Sequence, residues 1–192
     1  MTVTLVEKYN PAWPRWFEEI KTSLGEKVSK VCRRIEHVGS TAIPGMTAKP
    51  IIDIIIVIEP KRWGEMKSLL EERGYRYQGD QGIPEREVFR LNEDRVKSAP
   101  PFHHLYVCPE NSLELKKETA FRDYLKKNQI DAKRLSELKW ALAKKYNNDK
   151  YPYMDGKAAL CGEITRKALA YQKKARKRIY RTYLTLRYPN SR

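Results

Sequence analysis

The chain has 192 residues, 41% hydrophobic and 33% charged, and its 39 Lys and Arg outnumber 24 Asp and Glu to leave a net charge of +15. That length suits one core-forming domain with a small appendage, and the longest apolar run, Ile54 to Ile58, is too short for a membrane-spanning helix. Cys32, Cys108 and Cys161 are odd in number, far apart and form no CxxC pair, which argues against a disulfide scaffold and a Cys-rich zinc site.

A reducing, cytoplasmic setting is therefore expected. The segment after Met1 has Glu7 and no continuous apolar stretch, so no secretory signal is expected either. The charge is uneven. Ten basic residues lie between Thr165 and Arg192 and no acid follows Glu163, so this end holds 10 of the +15 and residues 1–164 hold 5. The expected organisation is a domain over 1–164 and a basic amphipathic helix and tail over 165–192.

In chain order, Asn10 is placed to cap a helix in which Trp13, Trp16, Phe17, Ile20 and Leu24 recur at helical spacing, with Gly25 just past its end. Val31 to Val38 alternates as a half-buried strand does and runs into the turn-rich Gly39-Ser40-Thr41-Ala42-Ile43-Pro44-Gly45. Ile51 to Ile58 is β-branched almost throughout and reads as a strand buried on both faces. Asp53 interrupts it, and a carboxylate there is costly unless paired or bound to a metal.

Trp63, Met66, Leu69 and Leu70 predict a short helix ending at Gly74. Gly74 to Gln78, Val88 to Leu91 and Phe102 to Cys108 are candidate strands, the first two flanking a loop at Gly79 to Pro84. Ser112 to Tyr146 predicts two helices broken near Asn128 to Asp131. A loop over Asn147 to Gly156 then leads to a last helix with Ile164, Ala168, Tyr171, Ala175, Ile179, Tyr183 and Leu186 on one stripe. Early strands and late helices imply an α+β domain: a small mixed sheet flanked by helices, with a helical C-terminal half.

Gly39-Ser40 lies in a strand-to-helix turn, with twelve residues between it and Asp53. A Walker A loop does not fit, because five residues separate Gly39 from Gly45 and Met46 follows. The nucleotidyltransferase arrangement does. In it a Gly-Ser turn offers backbone N–H groups and a hydroxyl to a triphosphate, and a carboxylate on the next strand holds Mg²⁺.

The segment His37-Val38-Gly39-Ser40-Thr41-Ala42-Ile43-Pro44-Gly45, followed by Ala48-Lys49-Pro50-Ile51-Ile52-Asp53-Ile54, closely resembles the signature of the GrpB (UPF0157) family. The resemblance continues through Asn10-Pro11-Ala12-Trp13, Gly82-Ile83-Pro84-Glu85-Arg86, His103-His104-Leu105-Tyr106-Val107 and Phe121-Arg122-Asp123-Tyr124-Leu125 to Tyr153 and Lys157. It implies a nucleotidyltransferase-like fold, and some members of the family are fused to dephospho-CoA kinase. Catalytic nucleotidyltransferases usually carry two acids one residue apart on the strand. Here Ile55 stands where the second would be, which places ordinary transfer activity in question.

The candidate catalytic residues are Asp53, His103 and His104, with Asp53 and His104 as candidate ligands of a divalent cation, Mg²⁺ or Mn²⁺. Neighbours on a strand face opposite ways, so at most one histidine is expected beside Asp53, and a His ligand there favours Mn²⁺, Zn²⁺ or Fe²⁺. Gly39, Ser40, Thr41, Lys49 and Arg86 are the candidate contacts to a nucleotide or other phosphorylated small molecule. Glu85 and Glu87 are weaker candidates for a missing metal ligand, and Arg122 and Asp123 suit either catalysis or the docking of a helix on the sheet.

The tail needs its own account. Lys173, Lys174, Arg176, Lys177, Arg178 and Arg181, interleaved with Tyr180, Tyr183 and Tyr188, suit RNA or another nucleic acid, read with little sequence preference. Anionic lipid and a plain solvated helix face are the competing readings. An accessory role on a protein partner, such as a metabolic kinase, is the remaining alternative.

Overall fold

The β-branched run near residue 50 becomes the best-buried strand of the molecule. The computed structural model describes residues 6–92 and 101–187, without the side chains of 181–186. Among the described residues, β1 (Arg34–Val38), β2 (Ile52–Ile58), β3 (Tyr75–Tyr77), β4 (Glu87–Leu91) and β5 (His103–Pro109) form one sheet in the order β1-β2-β5-β4-β3. β2 pairs antiparallel with β1 and parallel with β5, and the β5-β4 and β4-β3 pairs are antiparallel.

Strand alternation divides β2 between two cores. Ile52, Ile54, Ile56 and Ile58 pack with Trp13, Phe17, Ile20 and Leu24 of α1 (Trp13–Val31) and with Met66 and Leu70 of α2 (Trp63–Glu72). Ile55 and Val57 face the other way, onto Leu115 of α3 (Leu113–Lys127). A further core joins α3, α4 (Gln129–Lys145) and α5 (Lys150–Arg187) through Leu125, Leu135, Leu160 and Ile164, with Ile43 and Met46 from the loop after Gly39. Both faces of the strand are thus covered by helices, as its composition requires.

Several element ends differ from the sequence expectation for visible reasons. Gly25 (φ 84°) kinks α1 without ending it, because Val28 carries the apolar pattern on into the core. The break between α3 and α4 is the single residue Asn128. The turn before α5 is confined to 146–149, with Asn147 and Asn148 at positive φ and Asp149 accepting the Tyr151 N–H at 3.1 Å. Gly156 therefore sits inside α5, where a Cβ would come within 2.5 Å of Leu142 Cδ2, and its lack of one lets α5 approach α4.

α5 runs unbroken across residues 164 and 165, and its buried stripe ends at Ala168. Ile179, which its spacing places on the apolar stripe, is 69% exposed. Tyr183 and Leu186 belong to the side chains outside the described set, and Tyr188 to the residues outside it.

Arg122 ties α3 to the sheet. Its guanidinium donates to Glu36 Oε2 at 2.6 Å, to the His37 carbonyl at 3.0 Å and to Asp123 Oδ1 at 2.8 Å. Hydrogen bonds between charged partners of this kind are worth about 1.5–3 kcal/mol. Arg122→Met should therefore lower unfolding free energy in urea by about 2 kcal/mol, while Asp123→Ala, whose side chain is 47% exposed, should cost under about 1 kcal/mol.

Candidate functional site

Register carries the predicted residues together. Val38 lies opposite Asp53 in the β1-β2 pair, so the chain leaving β1 turns at Gly39 directly over the carboxylate. Gly39 adopts φ 70°, and a Cβ there would stand 2.4 Å from Asp53 Oδ2. Only glycine meets both demands. On the other side Asp53 is level with His104 in the parallel β2-β5 pair, and His104 Nδ1 lies 3.0 Å from Asp53 Oδ1. With Nδ1–H donated to the carboxylate, the acceptor nitrogen of a neutral His104 ring is Nε2.

The structure separates His103 from this group. It faces the opposite side of the sheet, where Nε2 meets the Tyr75 hydroxyl at 2.7 Å and Nδ1 the Pro101 carbonyl at 3.0 Å. Burial pushes its pKa below the usual histidine value. The alternation rule decides the choice that the His-His dipeptide left open.

Asp53 and His104 open onto a cleft of about 690 Å³ between the sheet face and helices α3, α4 and α5. Gly39, Ser40, Thr41, Lys49 and Arg86 line it too. Thr41 is turned inward, its hydroxyl 3.0 Å from His37 Nε2 and donating to the Ile51 carbonyl at 3.3 Å. His37 stacks on Phe17, and burial pushes its pKa down to about 4. Arg86 reaches in from the loop before β4 with its guanidinium 4.7 Å from the centre of the Tyr106 ring, and its buried Nε has no hydrogen-bond acceptor among the described residues. Lys49 and Lys157 both stand 5.7 Å from the centre of the Tyr153 ring. Burial, then the charges of Lys157 and Lys150, hold the Lys49 pKa below the usual lysine range.

Two participants are ones the sequence analysis did not name. Lys139 of α4 is only 3% exposed, and its Nζ donates to Ser40 Oγ at 2.5 Å and to the Thr47 carbonyl at 2.9 Å. Among the described residues it forms no salt bridge, and burial followed by the charge of Lys157 pushes its pKa down to about 7, against smaller opposing effects of Cys161 and Asp53. The signal was present: Lys139 shares the helical stripe of Leu135 and Leu142, at i+4 and i−3. Glu118 of α3 lines the same cleft, and burial, then the negative charges of Asp53 and Glu114, raise its pKa to about 7. Glu85 and Glu87 are not among the lining residues, and Glu87 instead accepts the Tyr77 hydroxyl at 2.5 Å.

The donor set decides what kind of cation fits. Among the described residues no group of three or more His, Cys, Asp or Glu side chains is arranged to hold a metal ion. Asp53 and His104 offer two partly exposed donors. That suits Mg²⁺ or Mn²⁺ arriving with its own water and phosphate oxygens, since Mg²⁺ is commonly held by one or two carboxylates plus substrate phosphate. It does not suit a site completed by protein ligands alone.

Lys173, Lys174, Arg176, Lys177 and Arg178 lie outside the cleft, exposed on α5, and the Arg181 side chain is not among those described. No helix of the described residues is long and apolar enough to cross a membrane.

The fold, a mixed sheet with the helices that flank it, is nucleotidyltransferase-like. Its likeness to the Cid1 poly(U) polymerase has a TM-score of 0.50 at 14% identity, over 76% of this chain and 45% of that one. The chain belongs to the GrpB family, whose model, described as GrpB protein, matches residues 2–167. The crystal structure of the conserved protein GrpB from Enterococcus faecalis superposes with a TM-score of 0.76 at 31% identity, covering 88% of this chain and 99% of that one. The UPF0157 protein PA4798 of Pseudomonas aeruginosa is 35% identical across 84% of this chain and 66% of its own length. The glutamate-rich protein GrpB of Alkalihalophilus pseudofirmus is 34% identical across 79% of this chain and 88% of its own.

Two expectations follow from the titrating groups. The His37 ring should stay neutral from pH 8 down to about 5, visible as unchanged imidazole chemical shifts in NMR, since its pKa is lowered to about 4. For Lys139 the unfolded chain keeps the ordinary lysine proton affinity. Between pH 7 and 10.5 it therefore binds a proton that the folded amine lacks. Its contribution to stability is present above 10.5 and is lost as pH falls toward 7. Urea unfolding at pH 7, 8 and 9 should show stability rising in the wild type and a flatter profile in Lys139→Met.

Proposed function

We propose that this cleft binds a nucleotide, or a ligand with similar phosphate groups, together with a divalent cation. The observation that carries the reading is the buried Lys139 amine, held beneath the Gly39-Ser40 turn by Ser40 Oγ and the Thr47 carbonyl, with no carboxylate partner among the described residues. A cation at such a depth costs free energy unless something anionic completes it. A phosphate over the turn would do so. Ser40, already accepting from Lys139, has its own O–H to donate, and the Arg86 side chain lines the same cleft from the loop before β4.

The cation's partner lies against the same turn. Asp53, oriented by His104, would take one position on a Mg²⁺ or Mn²⁺ ion whose other ligands are phosphate oxygens and water, and the ion would offset the charge shared by Asp53 and Glu118. The fold neighbour Cid1, crystallised with MgGTP, supports a metal-nucleotide pair as the ligand class. Ile55, fully buried beyond Asp53, leaves the strand without its second acid, so the proposal is of binding and not of nucleotidyl transfer.

Isothermal titration of ATP with Mg²⁺, Mn²⁺ or EDTA tests this. Lys139→Met should weaken binding at least tenfold in all conditions. Asp53→Asn should weaken it only when a cation is present. Equal affinity of the wild type and both folded variants, or no binding by the wild type, would remove the assignment.

A further inference from the structure

We infer that the far half of α5 is a binding surface for single-stranded nucleic acid, separate from the cleft and independent of the reading given to it. The helix has two parts with different chemistry. From Tyr153 to Ala168 it buries Tyr153, Leu160, Ile164 and Ala168 against the body. From Lys173 to Tyr180 every side chain is exposed. Before that segment Lys167 is paired with Glu163 at 2.9 Å and with Asp131 at 3.2 Å, and no Asp or Glu follows Glu163 in the sequence.

Five basic residues fall between Lys173 and Tyr180: Lys173, Lys174, Arg176, Lys177 and Arg178. Their like charges repel along a helix, a cost that a polyanion relieves. Tyr180, 63% exposed, continues the line of Lys173 and Lys177 at i+7 and i+3, with Arg176 one turn back. An aromatic ring set among cations is the arrangement that stacks an unpaired base while its neighbours hold the backbone. A duplex gives such a ring nothing to stack on.

The same face fits a membrane poorly. Helices that lie in a lipid surface bury a broad apolar side of bulky residues. Here the side opposite the lysines offers Ala175 and Ile179 between residues 173 and 180.

The test uses the full chain with a fluorescein-labelled 20-nucleotide oligo(U), the same length of oligo(dT), a 20-base-pair duplex and phosphatidylserine vesicles. Anisotropy should show binding of one or both single strands, with log K falling against log salt at a slope of about −3 for four to five phosphate contacts. Equal binding of the two strands would assign recognition to backbone and stacking, and preference for RNA would add the 2′-hydroxyl, and both outcomes support the inference. The combined K173E, R176E and K177E substitutions should lower affinity at least thirtyfold and shrink the slope. Tyr180→Ala should lower affinity about fivefold with the slope unchanged. These side chains are exposed, so circular dichroism melting should remain at the wild-type temperature. Absence of single-strand binding, duplex binding at least as tight, or binding to vesicles alone would overturn the inference.

Discussion

The structure depends on a single strand being buried on both sides. β2 cannot slide, because a shift of one residue would drive Asp53 into the core with α1 and α2 and expel an isoleucine into the cleft. Its fixed register sets the position of everything around it. β1 delivers the Gly39 turn over Asp53, and β5 delivers His104 beside it. The carboxylate is tolerated because it lies at the start of the strand, at the mouth of the cleft, with a histidine donor and a glycine that leaves it room. The rest of its row, Ile55 and Val57, is fully buried.

On this frame the helical half places charge where the sheet cannot. α4 contributes an amine from below the turn, α3 a carboxyl group facing the same space as Asp53, and α5 the Tyr153 ring against which Lys49 and Lys157 sit. The cleft therefore gathers Lys49, Lys139 and Lys157 in the same space as Asp53 and Glu118. The proposed pairing of a phosphate with a cation rests on that mixture of charges.

Much of this was legible in the sequence. The β-branched run reported a doubly covered strand, the Gly-Ser turn and Asp53 reported a polar centre at its start, and the spacing between them fitted a nucleotidyltransferase-like arrangement that the superpositions bear out as a fold. Lys139 was not recognised, because a lysine on an amphipathic helix ordinarily points its head into water. Its place on the stripe with Leu135 and Leu142 was the clue. Glu118 gave no such signal, since its pKa depends on Asp53 and Glu114 meeting in one cleft from different elements. The continuous α5 was missed because Gly156 reads as a loop residue until α4 is seen pressing against it.

The amino-acid sequence by itself determined the elements, the two-sided burial of β2, the glycine turn at its start and the concentration of positive charge toward residue 192. Those properties are local: they follow from side-chain periodicity, β-branching and charge counts along the chain. Tertiary structure alone decided that His104 and not His103 joins Asp53, that Lys139 lies beneath Ser40, and that α5 leaves the body before its basic segment begins. Each of these is a relation between segments far apart in sequence, set by strand register and helix packing, and no pattern within a single segment encodes it.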